Sequence, residues 1–331
     1  MRRGLALIAG LAALAGLGWW FGLAEVAAAL RRASPAGLAV YALLTVLVWL
    51  GYTTRWWLVA RTVGGGAAPA RLLGARLAGD AVGALVPSAR LAGEPLRIAL
   101  VRATGIPSSA AAAGVTVDRL LEVIGNMLAV IVYVGIFAWG RGATQAPWAL
   151  AAGMLALLVL LSVTLRDLAR GRRPLIWLHG PRARRAAPRR QHWFDALARV
   201  EGYVMQVFQA HPGQVLAGVT LSLVIELLVV LQYRALLAAF GVALDLPALV
   251  LVVLGGGLAN VVPTPAGLGA LEAIQVLMVG ASTGRADLGF VVGVIVRLHE
   301  TLLLAVGLAA LAWFGGAAAL APRAAAPRAV G

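Results

Sequence analysis

An all-α polytopic membrane protein is the fold class this sequence predicts, with about six full spans and two re-entrant helical hairpins arranged as an inverted repeat. Three observations carry that expectation. Apolar residues make up 61% of the 331, charged residues only 12%, and mean hydropathy is +0.90, far from soluble norms. Uncharged runs at residues 5–24, 33–54, 143–165 and 302–321 are each long enough to cross a hydrocarbon core of about 30 Å. One stretch of the chain is also written twice. Strands of alternating polarity are missing from the sequence, which argues against a β-barrel.

The first copy of the repeated stretch reads Gly83-Ala-Leu-Val-Pro87, then Gly93-Glu94, then Arg119-Leu-Leu-Glu122. The second reads Ala259-Asn-Val-Val-Pro263, then Gly269 and Glu272, then Arg297-Leu-His-Glu300. Glu94 precedes Arg119 by 25 positions (119 − 94), and Glu272 precedes Arg297 by the same 25 (297 − 272). Of the 28 arginines, only these two carry an acid three residues on. The duplication divides a single membrane domain of residues 1–331 into one repeat over 36–140 and a second over 213–316, each a span, a hairpin and a span.

Taken in order, residues 5–23 behind Met1-Arg-Arg resemble a signal peptide. The run is longer than a usual signal core and further spans follow, so it reads as an uncleaved first span. The second span covers about 35–60 and ends in Tyr52-Thr-Thr-Arg55-Trp-Trp, an aromatic and cationic cluster suited to headgroups. Residues 72–86 are too short and too polar to cross alone. Pro87 stops them and 88–105 return with Arg90, Glu94, Arg97 and Arg102, which describes a re-entrant hairpin. Spans follow at 108–140 and 143–165. A basic loop at 166–199 comes next, with an amphipathic surface helix expected over 193–209. The fifth span is 215–240. Residues 246–271 carry no charge, but Gly255-Gly-Gly, Pro263, Pro265, Gly267 and Gly269 make them a second hairpin. The last span runs from about 287 to 315.

Charge distribution sets the expected orientation. Ten of the 28 arginines lie between Arg166 and Arg199, which places that loop in the cytoplasm together with both termini. The two hairpins then enter from opposite faces, the plan of many secondary transporters. The net charge of +15 is explained by topology, so no nucleic-acid partner is expected.

The chemistry rests on charges inside the spans. Arg119 and Glu122 share a helix face, as do Arg297 and Glu300. A charge deep in a span costs about 2.5–3.5 kcal/mol on insertion scales, so such residues face protein or a wet cavity. Arg90, Glu94, Arg97, Arg119, Glu122, Glu272, Arg297 and Glu300 are the candidate set for an anionic headgroup. Ion pairs that pin each hairpin to its span, such as Glu94 with Arg119, are the structural alternative. Pro87, Gly93, Pro263, Gly267 and Gly269 break the helices near mid-membrane, with Asp80 and Asn260 placed to cap or hydrogen-bond the breaks. Arg55 and Arg234 read as interface anchors, and Glu226 has no assigned role.

Enzymatic signals are poor. Gly280-Ala-Ser282-Thr-Gly284 matches a nucleophile-elbow pattern, but no strand leads into it and it reads as a turn. The histidines at 179, 192, 211 and 299 have no metal-ligand spacing, and cysteine and lysine are missing from the sequence. No cofactor, metal or catalytic residue is expected.

The segments Val86-Pro-Ser-Ala-Arg90-Leu-Ala-Gly93-Glu94-Pro-Leu-Arg97, Val117-Asp118-Arg119 and Pro263-Thr-Pro-Ala-Gly267-Leu-Gly269-Ala-Leu-Glu272 together resemble the lysylphosphatidylglycerol synthase transmembrane-region, or flippase-like, family. The resemblance covers about residues 55–315. It implies a bacterial or archaeal inner-membrane protein that handles lipids, in some members by flipping an aminoacylated phospholipid. The sequence departs from the full synthases in lacking their soluble aminoacyltransferase domain, and Ala92 stands where a second glycine is expected. Two functions follow as expectations. One is a lipid translocase whose partners are membrane lipids. The alternative is a non-transporting subunit that holds an enzyme of lipid, hopanoid or glycan synthesis on the cytoplasmic side.

Overall fold

Proline opens four of the helices, where its missing N–H is an orphan in any case and its fixed φ suits the first turn. The computed structural model describes residue 31 and residues 33–63, 66–86, 91–142, 148–170, 188–259 and 269–315. The expected first span, Pro87, Arg90, Asn260, Pro263, Gly267 and the C-terminal tail lie outside the described residues. The helices are α1 (Pro35–Thr62), α2 (Pro69–Leu85), α3 (Gly93–Arg102), α4 (Ser108–Arg141) and α5 (Trp148–Ala169). They continue with α6 (Pro188–Ala210), α7 (Pro212–Ala239), α8 (Leu246–Ala259), α9 (Ala270–Thr283) and α10 (Ala286–Ala310), which passes into a π-helical turn, Leu311–Gly315. Among the described residues there is no strand.

Five helical stretches are long and apolar enough to cross a membrane: Pro35–Thr62, Ser108–Gly140, Trp148–Asp167, Pro212–Ala239 and Ala286–Trp313. These are the spans read from the sequence, with boundaries moved by a few residues. The helices α2, α3, α8 and α9 are shorter than a span needs, as the Pro and Gly breaks predicted. The chain is therefore an all-α polytopic membrane protein. The nucleophile-elbow pattern is the end of α9, where Gly284 takes φ 72° as a left-handed cap. The basic stretch is only partly loop. Helix α5 runs through Ala169 and α6 begins at Pro188, where proline suits the first helical position. Helix α6 buries Val204 and Val207 against Val117 and Leu121 of α4.

Close approaches fix the helix directions. Gly37 of α1 lies on Ala239 of α7, Thr45 accepts from Gln232, Gly51 lies on Ile225, and Arg55 reaches Ser222. The numbers rise on α1 as they fall on α7, so these two spans run antiparallel. Ser34 N–H also donates to Ala239 O at 2.7 Å, tying the start of α1 to the end of α7. By the same reading α4 runs parallel to α7 (Leu121 on Gly218, Gly125 on Ser222) and antiparallel to α8 (Gly140 on Pro247, Phe137 packed with Leu251 and Leu254). Helices α2 and α8 follow α1 and α7 after short connections. The two hairpins therefore start from opposite ends of the bundle.

Each hairpin docks on the far half. Helix α2 packs on α10, and α8 packs on α4. The arms of the first hairpin close on glycine, since a Cβ at Gly93 would sit 2.1 Å from Gly79 O. Ala92 therefore does not prevent close packing, because Gly93 alone makes the contact. Gly93→Ala is expected to destabilise by about 1–3 kcal/mol through overpacking, read as a lower unfolding temperature in detergent. Helix α5 is little covered, and Leu155, Leu157, Val159, Leu160 and Val163 point outward, as suits a lipid-facing span.

Candidate functional site: a buried arginine–carboxylate cluster

Helix α4 carries Asp118, Arg119, Glu122 and Asn126 along one stripe, and three neighbouring helices each send an arginine to meet it. Arg55 comes from α1, Arg76 from α2 and Arg97 from α3. Asp118 is fully buried and accepts from all three, from Arg55 Nε at 2.9 Å, Arg76 Nη1 at 2.8 Å and Arg97 Nη2 at 2.7 Å. One carboxylate thus ties three helices to a fourth. Glu122 accepts from Arg55 Nη2 at 2.8 Å, from Arg76 Nη2 and from Arg119 Nη1. Glu94 accepts from Arg97 Nη1 at 3.0 Å, and Asp80 lies 3.7 Å from Arg76 Nε.

Charge balance explains why such a cluster survives among apolar helices. Four guanidiniums meet four carboxylates, and buried ions persist only when paired and hydrogen-bonded. Aromatic faces contribute as well. Arg76 lies 4.1 Å above the Tyr52 ring and Arg97 lies 4.2 Å above Trp56. Ser222 of α7 accepts from Arg55 Nη1 at 3.1 Å, so a third span also touches the cluster.

Arg119 differs from the other three. Its side chain is 32% exposed against 1–3% for Arg55, Arg76 and Arg97, and beyond its Nη1 bond to Glu122 its Nε and Nη2 meet no partner among the described residues. The Nη atoms of Arg76 and Arg97 are spent on carboxylates and their unbonded Nε atoms are buried, whereas the unused donors of Arg119 are accessible to an incoming anion.

The second half is simpler. Arg297 Nε donates to Glu272 Oε1 at 2.7 Å and Nη2 donates to Oε2 at 3.0 Å, a two-pronged bond joining α10 to α9. Glu300 is half-buried one turn further on. The interval that carries Arg119 to Arg297 (297 − 119) carries Arg97 to Gln275, Arg55 to Tyr233, Arg76 to Leu254 and Asp118 to Val296. Only the arginine and the two glutamates are shared, so the large cluster belongs to the first half. Gln275, fully buried, donates to Val252 O at 2.9 Å and braces α9 on α8.

Several expectations are corrected here. Arg119 pairs with Glu122 on its own helix, not with Glu94, which pairs with Arg97. Both hairpins are nevertheless pinned to a span by ion pairs, the first through Arg76 and Arg97 on Asp118 and the second through Glu272 with Arg297. Asp80 does not cap the break; it lies inside α2, one turn from Arg76. Gly93 is the close approach already described, and Gly269 takes φ 75° before α9, a conformation that favours glycine. Arg55 is 1% exposed and central to the cluster, whereas Arg234 is exposed. The anchor reading failed because α1 continues to Thr62, which places Arg55 a full turn and more inside the span. Arg76 and Asp118 were missed as well, although each is a charge within an apolar segment.

A cavity of about 450 Å³ lies elsewhere, at the loops on either side of the first hairpin, lined by Gly66, Ala67, Ala68, Arg71, Thr104, Gly105, Ile106 and Pro107. It does not touch the cluster. Among the described residues no group of His, Asp and Glu is set to hold a metal ion.

Apolar spans around an ionic interior, with two half-length hairpins, define an integral membrane protein with a polar site inside its helix bundle. The chain belongs to the lysylphosphatidylglycerol synthase TM region family, which matches residues 7–307. That match begins well before the motifs that carry the resemblance and takes in the N-terminal apolar run. The chain is also similar to a UPF0104 membrane protein of Methanothermobacter thermautotrophicus, with 26% identity over 323 residues, 93% of this chain and 94% of the relative.

Proposed function

We propose that the protein is a lipid translocase of the inner membrane, which binds the phosphate of a lipid headgroup at Arg119 and moves it between leaflets without covalent chemistry. The observation that carries this reading is the free side of one guanidinium on the rim of an otherwise neutralised cluster. A guanidinium with two unused donors matches a phosphate in geometry and charge. The hairpins support the reading too. They start from opposite ends of the bundle, and each docks on the far half, the pattern an inverted repeat produces. In this reading the basic stretch and both termini face the cytoplasm.

The test is reconstitution. Liposomes holding the purified protein, loaded with headgroup-labelled phospholipids, are expected to expose inner-leaflet label to a membrane-impermeant quencher faster than protein-free liposomes. Rates no faster than in protein-free liposomes for anionic, zwitterionic and aminoacylated headgroups alike refute the translocase reading.

A further inference from the structure

We infer that Glu226, in the middle of α7, is a proton-binding site in the seam between α4 and α7. The seam is built from small residues. Gly218 and Ser222 lie one turn apart on α7, and an added Cβ would place Gly218 2.5 Å from Leu121 Cδ1 and Gly125 2.5 Å from Ser222 Cβ. Glu226 stands one turn beyond Ser222 on the same stripe, where another small residue would continue the close packing. A carboxyl occupies that place instead.

Its partners are neutral. Tyr133 OH lies 3.1 Å from Glu226 Oε2. With its amide nitrogen turned toward α7, Asn126 donates to Glu226 Oε1 at 2.7 Å and to Glu122 O at 3.0 Å. No guanidinium pairs with Glu226 among the described residues, and Arg55, the arginine that acts on it, is matched by Asp118 and Glu122. The charged and titratable side chains that act on it are Glu122 and Tyr133 of α4 and Arg55 of α1, and Tyr52 of α1 feels it in turn. None comes from α6, α8 or α10 among the described residues.

A carboxylate in an apolar helix seam that no guanidinium bonds is neutralised most simply by a proton. With the proton on, Glu226 bonds Tyr133 and Asn126 as a neutral acid. With the proton off, its charge adds to that of Glu122, which binds three of the arginines. The site therefore takes a proton, not a headgroup, and is separate from Arg119.

Infrared spectroscopy of the purified full chain in lipid decides the matter, because a protonated carboxylic acid has its own carbonyl band. That band is expected near neutral pH in the wild type, lost on raising the pH and missing from Glu226→Gln. Tyr133→Phe keeps the acid and removes one hydrogen bond, so it is expected to shift the band, an assignment independent of how well Glu226→Gln folds. Unfolding temperature is expected to fall as pH rises in the wild type and to stay level in Glu226→Gln, since only a folded state that holds the extra proton loses stability on its removal. The inference is overturned if no such band exists, if Glu226→Gln retains it, or if sodium in place of choline removes it at fixed pH, which would mark a metal-cation site. Lipid movement is not part of this readout, so failure of the translocase reading leaves the proton site standing, and the reverse.

Discussion

Asp118→Ala is expected to lower stability by about 3–5 kcal/mol, the largest single effect in the protein, because it strands buried cations without their acceptor. Asp118 takes one hydrogen bond from each of Arg55, Arg76 and Arg97, and two of those arginines arrive on the hairpin helices α2 and α3. Losing the carboxylate leaves Arg97 with Glu94 alone and leaves Arg55 and Arg76 sharing Glu122. The expected result is poor yield of folded protein and increased proteolysis at the first hairpin. Asp118→Asn keeps the shape and two lone pairs but removes the charge, so it is expected to fall between wild type and Asp118→Ala. Equal unfolding temperatures for wild type and Asp118→Ala would show that the cluster does not hold the hairpin.

Arg119→Gln is expected to slow lipid movement about tenfold to a hundredfold, the range a charge-assisted hydrogen bond supplies, while the protein folds and inserts normally. Its one bond is to Glu122, which keeps Arg55 and Arg76 as partners when Arg119 is replaced. Arg97→Gln makes the contrast. Arg97 is 1% exposed and bound to both Glu94 and Asp118, so its loss is expected to lower stability first and transport only in consequence. Transport by Arg119→Gln at the wild-type rate, normalised to folded protein, removes Arg119 from the site.

Much of this was legible in the sequence because membrane insertion forces it. Apolar length marks the spans, and Pro and Gly mark where short helices stop, so α1, α4, α7, α10 and the first hairpin emerge near their observed bounds, whereas the second hairpin, expected over 246–271, extends through α9 to Thr283. Charges in apolar segments pointed to Glu94, Arg97, Arg119 and Glu122 as members of one site. Partner choice was not legible. Which carboxylate an arginine meets depends on helix rotation and on packing between segments far apart in the chain. Asp118 and Arg119 are adjacent in sequence yet differ completely in role, one sealed among three arginines and the other at the rim. Arg55 was misplaced because aromatic neighbours suggest an interface, whereas here Tyr52 and Trp56 lie against the cluster's own guanidiniums.

The order of synthesis gives the carboxylate at Asp118 a further meaning. Arg55, Arg76 and Arg97 all leave the ribosome before the acid that neutralises them. Two of the three travel on helices too short to cross by themselves, which can wait in the headgroup region until α4 arrives. The first hairpin is thus expected to lack its shared counterion, and with it its final packing, until the following span has been made.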